Sequence, residues 1–202
     1  MKLLSSPASP FGRKVKLAIG MKNLKDKVEV TTVDATKGDA NLSAANPMGR
    51  IPVLLTNDGH VIHDSHVICE YLDSAGTGPL LFPKSGPERW QTLTLGSLAD
   101  GITEAALLKV YEGRYRPENM KVQSWLDRLD HKIDASLVML EKAPPAWKTA
   151  PDYGHLTLAA GLGYLDFRHA GKWRAGHPKL VAWLDTFAKA VPAFETSKPP
   201  VA

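Results

Sequence analysis

A Ser-Pro pair between an apolar segment and an amphipathic one limits what the first part of this chain can fold into. Leu3 and Leu4 belong to a predicted strand at Lys2–Ser5, and Ser9-Pro10 follows after three intervening residues. Serine is a preferred helix N-cap, and proline is favoured at the first helical position. Because the start of a helix attracts anions, we expect the Ser9 hydroxyl to lie where it can hold a thiolate.

The first eighty residues alternate strand and helix. The helix predicted at residues 9–20 is amphipathic, with apolar residues on one side and Arg13, Lys14 and Lys16 on the other. Further elements follow in this order: a strand at 28–33, a polar loop or irregular helix at 36–47, strands at 51–56 and 60–62 joined by a turn at 57–59, and a helix from about 64. The order strand, helix, strand implies a right-handed crossover and therefore a parallel pair.

The composition changes after this region. Residues 76–87 contain three glycines and three prolines, which is typical of a linker. The segments with helical period beyond it are 88–115, 118–142, 156–168 and 179–191. The pattern predicts an α/β plus all-α protein, with an α/β domain at 1–78, a linker at 79–87 and a helical domain at 88–202.

Charge and cysteine content exclude several classes of protein. The net charge is +4, and Lys and Arg are scattered, so the basic patch of a nucleic-acid-binding protein is missing. Cys69 is the single cysteine, which excludes an internal disulfide and a zinc site built on cysteines. The chain has no signal-peptide pattern and no apolar run near the ~20 residues of a membrane span. We therefore expect a cytoplasmic protein with neither a nucleic-acid nor a membrane partner.

Two further motifs carry chemistry. The first is Asn46-Pro47-Met48-Gly49-Arg50-Ile51-Pro52-Val53-Leu54, in which Pro52 stands at the entrance of a strand. Proline has no N–H to donate to a β-ladder, so it belongs at such an entrance. A cis Ile51-Pro52 bond would leave the Ile51 backbone free to pair with an extended peptide. In His63-Asp64-Ser65, Ser65 and the local amides can cap the next helix and bind a carboxylate, while Asp64 can pair with an ammonium.

Taken in order, these motifs resemble those of the cytosolic glutathione transferases, in particular bacterial members with a serine at the active site. The resemblance covers the whole chain, through Ala99-Asp100-Gly101-Ile102 and Gly163-Tyr164-Leu165-Asp166-Phe167-Arg168. It implies a thioredoxin-like N-terminal domain that binds glutathione and a helical-bundle domain that lines the second-substrate pocket. It also implies a homodimer with glutathione as co-substrate, and no metal or prosthetic group.

The resemblance also implies roles for individual residues. Ser9 would face the glutathione sulfur, the Ile51 backbone would pair with the cysteinyl part, and Asp64 and Ser65 would hold the γ-glutamyl group. The remaining positions are Phe11 among the glutathione-binding residues, Arg50 and Lys37 near the glycyl carboxylate, Asp100 reaching the γ-glutamyl ammonium from the neighbouring subunit, and Tyr111, Arg114 and Tyr115 in the second-substrate pocket.

Energetics favour a hydrogen-bonding role for Ser9. A free cysteine thiol has a pKa near ~8.5, and lowering that pKa by about two takes roughly 2.7 kcal/mol. A helix N-terminus supplies about 0.3–1 kcal/mol and a charge-assisted hydrogen bond about 1.5–3 kcal/mol, so the two together are about enough. Ser5 and Ser6 are rival donors, and Ser9 could instead only cap its own helix.

The expected reaction is addition of the glutathione thiolate to a small hydrophobic electrophile. Two alternatives stay open: a glutathione-dependent peroxidase or reductase that uses the same site, and a non-catalytic protein that binds glutathione or hydrophobic ligands. Serine at position 9 argues against mixed-disulfide chemistry.

Other residue patterns predict structural roles. Cys69 is expected in the core, and His60, His63 and His66 are not expected to bind a metal. A Ser/Thr-x-x-Asp capping box is expected at the central helix of the second domain, but Thr157-Leu158-Ala159-Ala160 lacks the acid.

Overall fold

The computed structural model describes residues 1–147 and 149–200, which form a small mixed sheet with helices followed by a helical bundle. The N-terminal elements are β1 (Lys2–Ser5), α1 (Pro10–Met21), β2 (Glu29–Thr32), α2 (Ala40–Ala45), β3 (Val53–Leu55), β4 (Val61–Ile62) and α3 (Ser65–Ala75). The second half contains α4 (Gly86–Tyr115), α5 (Gln123–Lys142), α6 (Tyr153–Arg168), α7 (Pro178–Ala190) and α8 (Ala193–Thr196). The predicted fold class is confirmed.

The sheet has the strand order β2-β1-β3-β4, with β1 and β2 parallel and the other neighbours antiparallel. The predicted parallel pair and hairpin are therefore confirmed. Leu3 and Leu54 pair in register and face the core beneath α1 and α3, while Leu4 and Val53 pack with Leu42 of α2 on the opposite face. Apolar residues on both faces follow from this arrangement, because helices cover the sheet on each side.

Helix α6 is the centre of the helical half, and it packs most extensively against α4 and then α1. All its residues from Tyr153 to Leu165 are buried. A helix that is apolar on every side has no amphipathic stripe to mark its start, and the predicted start at residue 156 is three residues late.

The prediction that α6 lacks a complete capping box is wrong. Asp152 is the N-cap, its carboxylate accepts the His155 amide at 3.2 Å, and the Asp152 amide donates to His155 Nδ1 at 3.2 Å. Thr157 lies one turn inside the helix and donates its hydroxyl to the Tyr153 carbonyl at 2.7 Å. A reciprocal capping box is thus present, with Asp at the N-cap and His three residues later.

The basic side of α1 does not face solvent, contrary to what an amphipathic helix predicts, because the second domain covers it. Arg13 is 5% exposed and Lys14 is 1% exposed. Arg13 donates to the Phe194 carbonyl at 2.8 Å and lies 4.1 Å from the centre of the Phe194 ring, and burial lowers its pKa to about 10. Lys14 donates to both carboxylate oxygens of Asp100, at 2.8 and 2.9 Å. The two domains therefore meet through one buried ion pair and through an arginine that is held by a carbonyl and an aromatic ring.

The segment predicted as a linker is held firmly to the first domain. Leu81 and Phe82 are buried, and their amides each donate to the Asp73 carboxylate at 3.0 Å. The same carboxylate forms a buried ion pair with Lys22 at 2.9 Å. None of the helices in the described residues is long and apolar enough to cross a membrane.

Candidate active site

Ser9 is the N-cap of α1, and its hydroxyl oxygen accepts the Gly12 amide at 3.0 Å. Within the described residues, the Ser9 hydroxyl proton has no acceptor. A hydroxyl has one donor and two acceptor sites, so this side chain can cap its helix and still donate outward. Capping and thiolate binding are therefore compatible at Ser9.

Of the two rival hydroxyls, Ser5 is fully buried and packs against the backbone of Gly12. Ser6 lines the same cleft as Ser9, and its hydroxyl accepts the Ala8 amide at 3.4 Å. Because a ligand reaches a cleft and not the sealed core, the choice narrows to Ser9 and Ser6.

A cleft with a cavity volume of about 610 Å³ opens in front of Ser9, between the first domain and helices α4 and α6. Of the residues predicted for the site, it brings together Ser9, Phe11, Arg50, Ile51, Tyr111, Arg114 and Tyr115. Volumes of this size suit a small-molecule site. The glutathione-side and second-substrate predictions for these residues thus converge on one cavity.

The Ile51-Pro52 peptide bond is cis, as the sequence indicated. Among the described residues, the Ile51 backbone forms no backbone hydrogen bond, and β3 begins two residues later at Val53. The Asn46 amide group donates to the Arg50 carbonyl at 2.9 Å and holds the turn before Ile51. The Ile51 amide and carbonyl are therefore open to an extended ligand.

The other predicted residues lie outside the lining of this cleft. Lys37 is exposed and 3.6 Å from the Asp34 carboxylate. Asp64, and not Ser65, is the N-cap of α3 and accepts the His66 amide at 2.9 Å, while Ser65 is the first helical residue and is buried. Asp100 is engaged by Lys14 and by the Tyr153 hydroxyl, which donates at 3.2 Å. The capping role predicted for Ser65 belongs to its neighbour because the Asp64 carboxylate reaches the free amides of the first turn.

Aromatic and basic side chains form the wall of the cleft on α4 and α6. The Tyr111 and Tyr115 rings meet edge to face with centres 5.3 Å apart, and the Arg114 guanidinium lies 5.8 and 5.9 Å from their centres. Tyr164 and Arg168 of α6 complete this wall. Neither was predicted as a site residue, and their four-residue spacing on a helix was the available signal.

Cys69 is confirmed as a core residue, since it is fully buried and burial raises the pKa of its thiol to about 12. The His66 ring packs against both Phe82 and Tyr153, with ring centres 5.5 and 4.8 Å away, and those two rings stack on each other at 4.5 Å. In the part of the chain that the structure describes, no group of three or more His, Cys, Asp or Glu side chains is placed to hold a metal ion.

The sequence is similar to those of known proteins. Residues 3–79 match the family described as glutathione S-transferase, N-terminal domain. The uncharacterized GST-like protein YibF of Escherichia coli K12 is 31% identical over 206 residues, which covers the whole of both chains.

Solved structures extend the similarity to the tertiary level. A glutathione transferase family member from Pseudomonas fluorescens Pf-5 with bound glutathione is 36% identical, with a TM-score of 0.91 over 99% of each chain. A structure of the Pf-5 family member with bound S-(propanoic acid)-glutathione matches all of both chains with a TM-score of 0.87. A glutathione S-transferase from Methylobacillus flagellatus KT with glutathione bound is 29% identical, with a TM-score of 0.90 over 98% of this chain and 99% of the other.

Proposed function

This chain belongs to the glutathione S-transferase family, and we propose that it adds the glutathione thiolate to small hydrophobic electrophiles. The observation that carries the proposal is the Ser9 hydroxyl, whose proton has no acceptor among the described residues and which shares one cleft with the open Ile51 backbone and the aromatic wall of α4 and α6. The relatives with bound glutathione, and the one with glutathione modified as S-(propanoic acid)-glutathione, support a site that holds glutathione and a group attached to it.

In this proposal the thiolate is stabilised before it attacks. The Ser9 hydroxyl donates to the sulfur while its lone pair keeps the Gly12 amide, and the N-terminus of α1 adds its dipole. Cys69 is sealed in the core with a raised thiol pKa, so it supplies no protein thiol for mixed-disulfide chemistry. Conjugation therefore fits this site better than disulfide exchange.

The bond changes are simple. The thiolate sulfur forms a bond to an electrophilic carbon, and either a halide leaves with the electron pair of its bond or the adjacent carbon of an activated double bond takes a proton from water. The cleft orients the two reactants and excludes solvent around the sulfur. Such conjugation would serve detoxification.

We propose that the backbone of Ile51 pairs with the cysteinyl part of glutathione and that Arg50, with Lys37, lies near the glycyl carboxylate. Asp64 and Ser65, at the start of α3, would hold the γ-glutamyl group. Asp100 would contribute from a neighbouring subunit of a homodimer, with part of its carboxylate surface still exposed beside Lys14.

Three substitutions at one position separate capping from catalysis. Ser9→Ala removes both the cap and the donor, Ser9→Asp keeps an acceptor for the Gly12 amide but cannot donate, and Ser9→Thr keeps both. The pH–rate profile with chlorodinitrobenzene and the ultraviolet absorbance of the bound thiolate report the pKa of the glutathione thiol. Loss of about 1.5–3 kcal/mol should raise that pKa by about one to two in the Ala and Asp variants and leave it nearly unchanged in the Thr variant.

The unfolding midpoint in urea is the control for these variants. Ser9→Asp should retain it while losing activity, whereas Ser9→Ala should lower the free energy of unfolding by about 1 kcal/mol. Ser6→Ala is the matched control inside the cleft. A wild-type pH–rate profile in Ser9→Ala, with a shifted one in Ser6→Ala, would transfer the role to Ser6.

A further inference from the structure

Two guanidinium groups of the cleft wall have no carboxylate partner among the described residues. Arg114 lies near the end of α4 and Arg168 at the end of α6, and both line the cleft. Their neighbours are different: Arg116 is paired with Glu112 at 3.2 Å, and Arg174 is paired with Asp166 at 2.7 Å. A planar guanidinium that is left unpaired in a cleft is suited to bind a carboxylate through two parallel hydrogen bonds.

Both arginines share the lining of the cleft with a buried tyrosine, Tyr164. Tyr164 is 4% exposed, and burial raises its pKa to about 12, while the positive charges of Arg168 and Arg114 act in the opposite direction. Tyr164 also lines a small pocket together with Ser9 and Pro10. Arg168 follows Tyr164 by four residues, or about one helical turn of 5.4 Å. The lining therefore runs from Ser9 through Tyr164 to Arg168.

The acidic residues that line the cleft are Asp34 and Glu104. Asp34 accepts the amide and hydroxyl of Thr36, at 2.9 and 2.6 Å, and pairs with Lys37. Glu104 precedes Arg114 by ten residues on α4, which corresponds to about 15 Å along the helix axis, whereas the end of α6 lies beside Ala106, whose carbonyl is 3.1 Å from the His169 ring. The cleft lining thus carries three arginines, Arg50, Arg114 and Arg168, against two carboxylates, one of which is already paired with Lys37.

We infer that this cleft selects electrophiles that carry a carboxylate close to the reacting carbon, with Arg114 and Arg168 as the groups that bind it. The inference rests on the proposed glutathione-conjugating function and adds the substrate class. A short α,β-unsaturated acid is the simplest member: the sulfur bonds to the β-carbon, the double bond opens, and the α-carbon takes a proton from water.

The arginines would also assist this addition. An unsaturated carboxylate is a poor acceptor because negative charge builds up next to a group that is already anionic. A guanidinium pair on the carboxylate opposes that build-up, and its interaction is stronger in the transition state than in the ground state. A neutral acceptor receives no such help, so selection for the acid should be visible in kcat/KM as well as in binding.

Binding of two matched conjugates tests the inference without requiring turnover. S-(2-carboxyethyl)glutathione and S-(2-carbamoylethyl)glutathione differ only in a carboxylate against a carboxamide, and calorimetry gives both dissociation constants. We expect wild type to bind the carboxylate conjugate about tenfold more tightly, and Arg114→Gln or Arg168→Gln to reduce that ratio about threefold each. Arg116→Gln, which removes the same charge outside the cleft lining, should leave the ratio unchanged.

The outcomes separate the two proposals. If wild type binds neither conjugate, the glutathione function is refuted, and the inference with it. Equal affinities in wild type, or a ratio that survives the double substitution of Arg114 and Arg168, would overturn the inference alone. Equal weakening of both conjugates by the substitutions would assign the arginines to the carboxylates of glutathione itself, and this too would overturn it. A wild-type comparison of 4-chloro-3-nitrobenzoate with 4-chloro-3-nitrobenzamide, each relative to its uncatalysed rate, needs no variant to fold and should favour the acid.

Discussion

The ion pair between Lys14 and Asp100 should respond unequally to removal of its two members. The Lys14 side chain is 1% exposed, whereas that of Asp100 is 31% exposed. Lys14→Met replaces a buried cation by an apolar chain of similar length and leaves Asp100 with water and the Tyr153 hydroxyl, which donates at 3.2 Å. Asp100→Asn instead leaves a buried ammonium with no anionic partner, next to a neutral amide oxygen, the Tyr153 oxygen at 3.3 Å and the rings of Phe11 and Tyr153.

The magnitudes follow from what each variant leaves behind. Removing one member of a buried pair costs about 3–5 kcal/mol when the other stays charged and dry, and the amide oxygen of asparagine with the Tyr153 hydroxyl recovers part of this. We expect Asp100→Asn to lower the free energy of unfolding by about 2–3 kcal/mol. Lys14→Met should cost less than about 1 kcal/mol, because a buried ion pair gains little over a well-packed apolar side chain.

Urea unfolding followed by circular dichroism, at one fixed protein concentration, measures these differences. The double variant Lys14→Met/Asp100→Asn closes the cycle and should lie close to Lys14→Met, since no buried charge is left to destabilise it. A cost for Lys14→Met equal to or above that of Asp100→Asn would refute the assignment of Lys14 as the buried partner that requires neutralisation.

Two further predictions concern the centre of the fold. In Gly163→Ala, the new Cβ would fall 2.1 Å from Nη1 of buried Arg13, so the free energy of unfolding should drop by about 1–3 kcal/mol. In the control Gly101→Ala, no described atom outside the adjoining turns of α4 would lie within 4 Å of the new Cβ, so the free energy of unfolding should rise by about 0.5–1 kcal/mol in the same urea titration. Burial alone would raise the pKa of Asp152, but hydrogen bonds from His155 and Thr92 outweigh it and hold that pKa below its usual value. Its stabilising contribution should therefore be present above about pH 4 and be lost as the pH falls further, and acid unfolding of Asp152→Asn should lack that part of the pH dependence.

Local sequence patterns predicted much of the N-terminal half. The order of strands and helices, the turn before His60 and the cis Ile51-Pro52 bond were all predicted, because turn residues and proline act over a few neighbouring positions. The N-cap of α6 also has a local signal. Asp152 follows a proline and precedes a buried run, with His155 three residues later. This Asp-His pair does not match the Ser/Thr-x-x-Asp pattern, so the sequence prediction missed it.

In the candidate site, too, the residues that depend on local structure were predicted and those that depend on helix packing were not. Ser9 was identifiable because a capping residue acts on the amides of its own first turn. Tyr164 and Arg168 were missed because their place on the cleft depends on how α6 lies against α4 and α1. Asp100, predicted to reach the ligand from a neighbouring subunit, also pairs with Lys14 of its own chain, a contact that no local pattern indicated.

The local elements, their order and the hydroxyl at the start of α1 can be read from the sequence, since each depends on interactions within about one turn of chain. Which surfaces meet depends on how the elements pack. The basic side of α1 looks solvent-exposed in the sequence, but it is buried because Phe194 and Asp100, far along the chain, supply the partners that make burial of Arg13 and Lys14 tolerable. Arg114 and Arg168, which have no carboxylate partner among the described residues, could be recognised only from the fold for the same reason, because a charge is free or paired only relative to neighbours brought close by the fold.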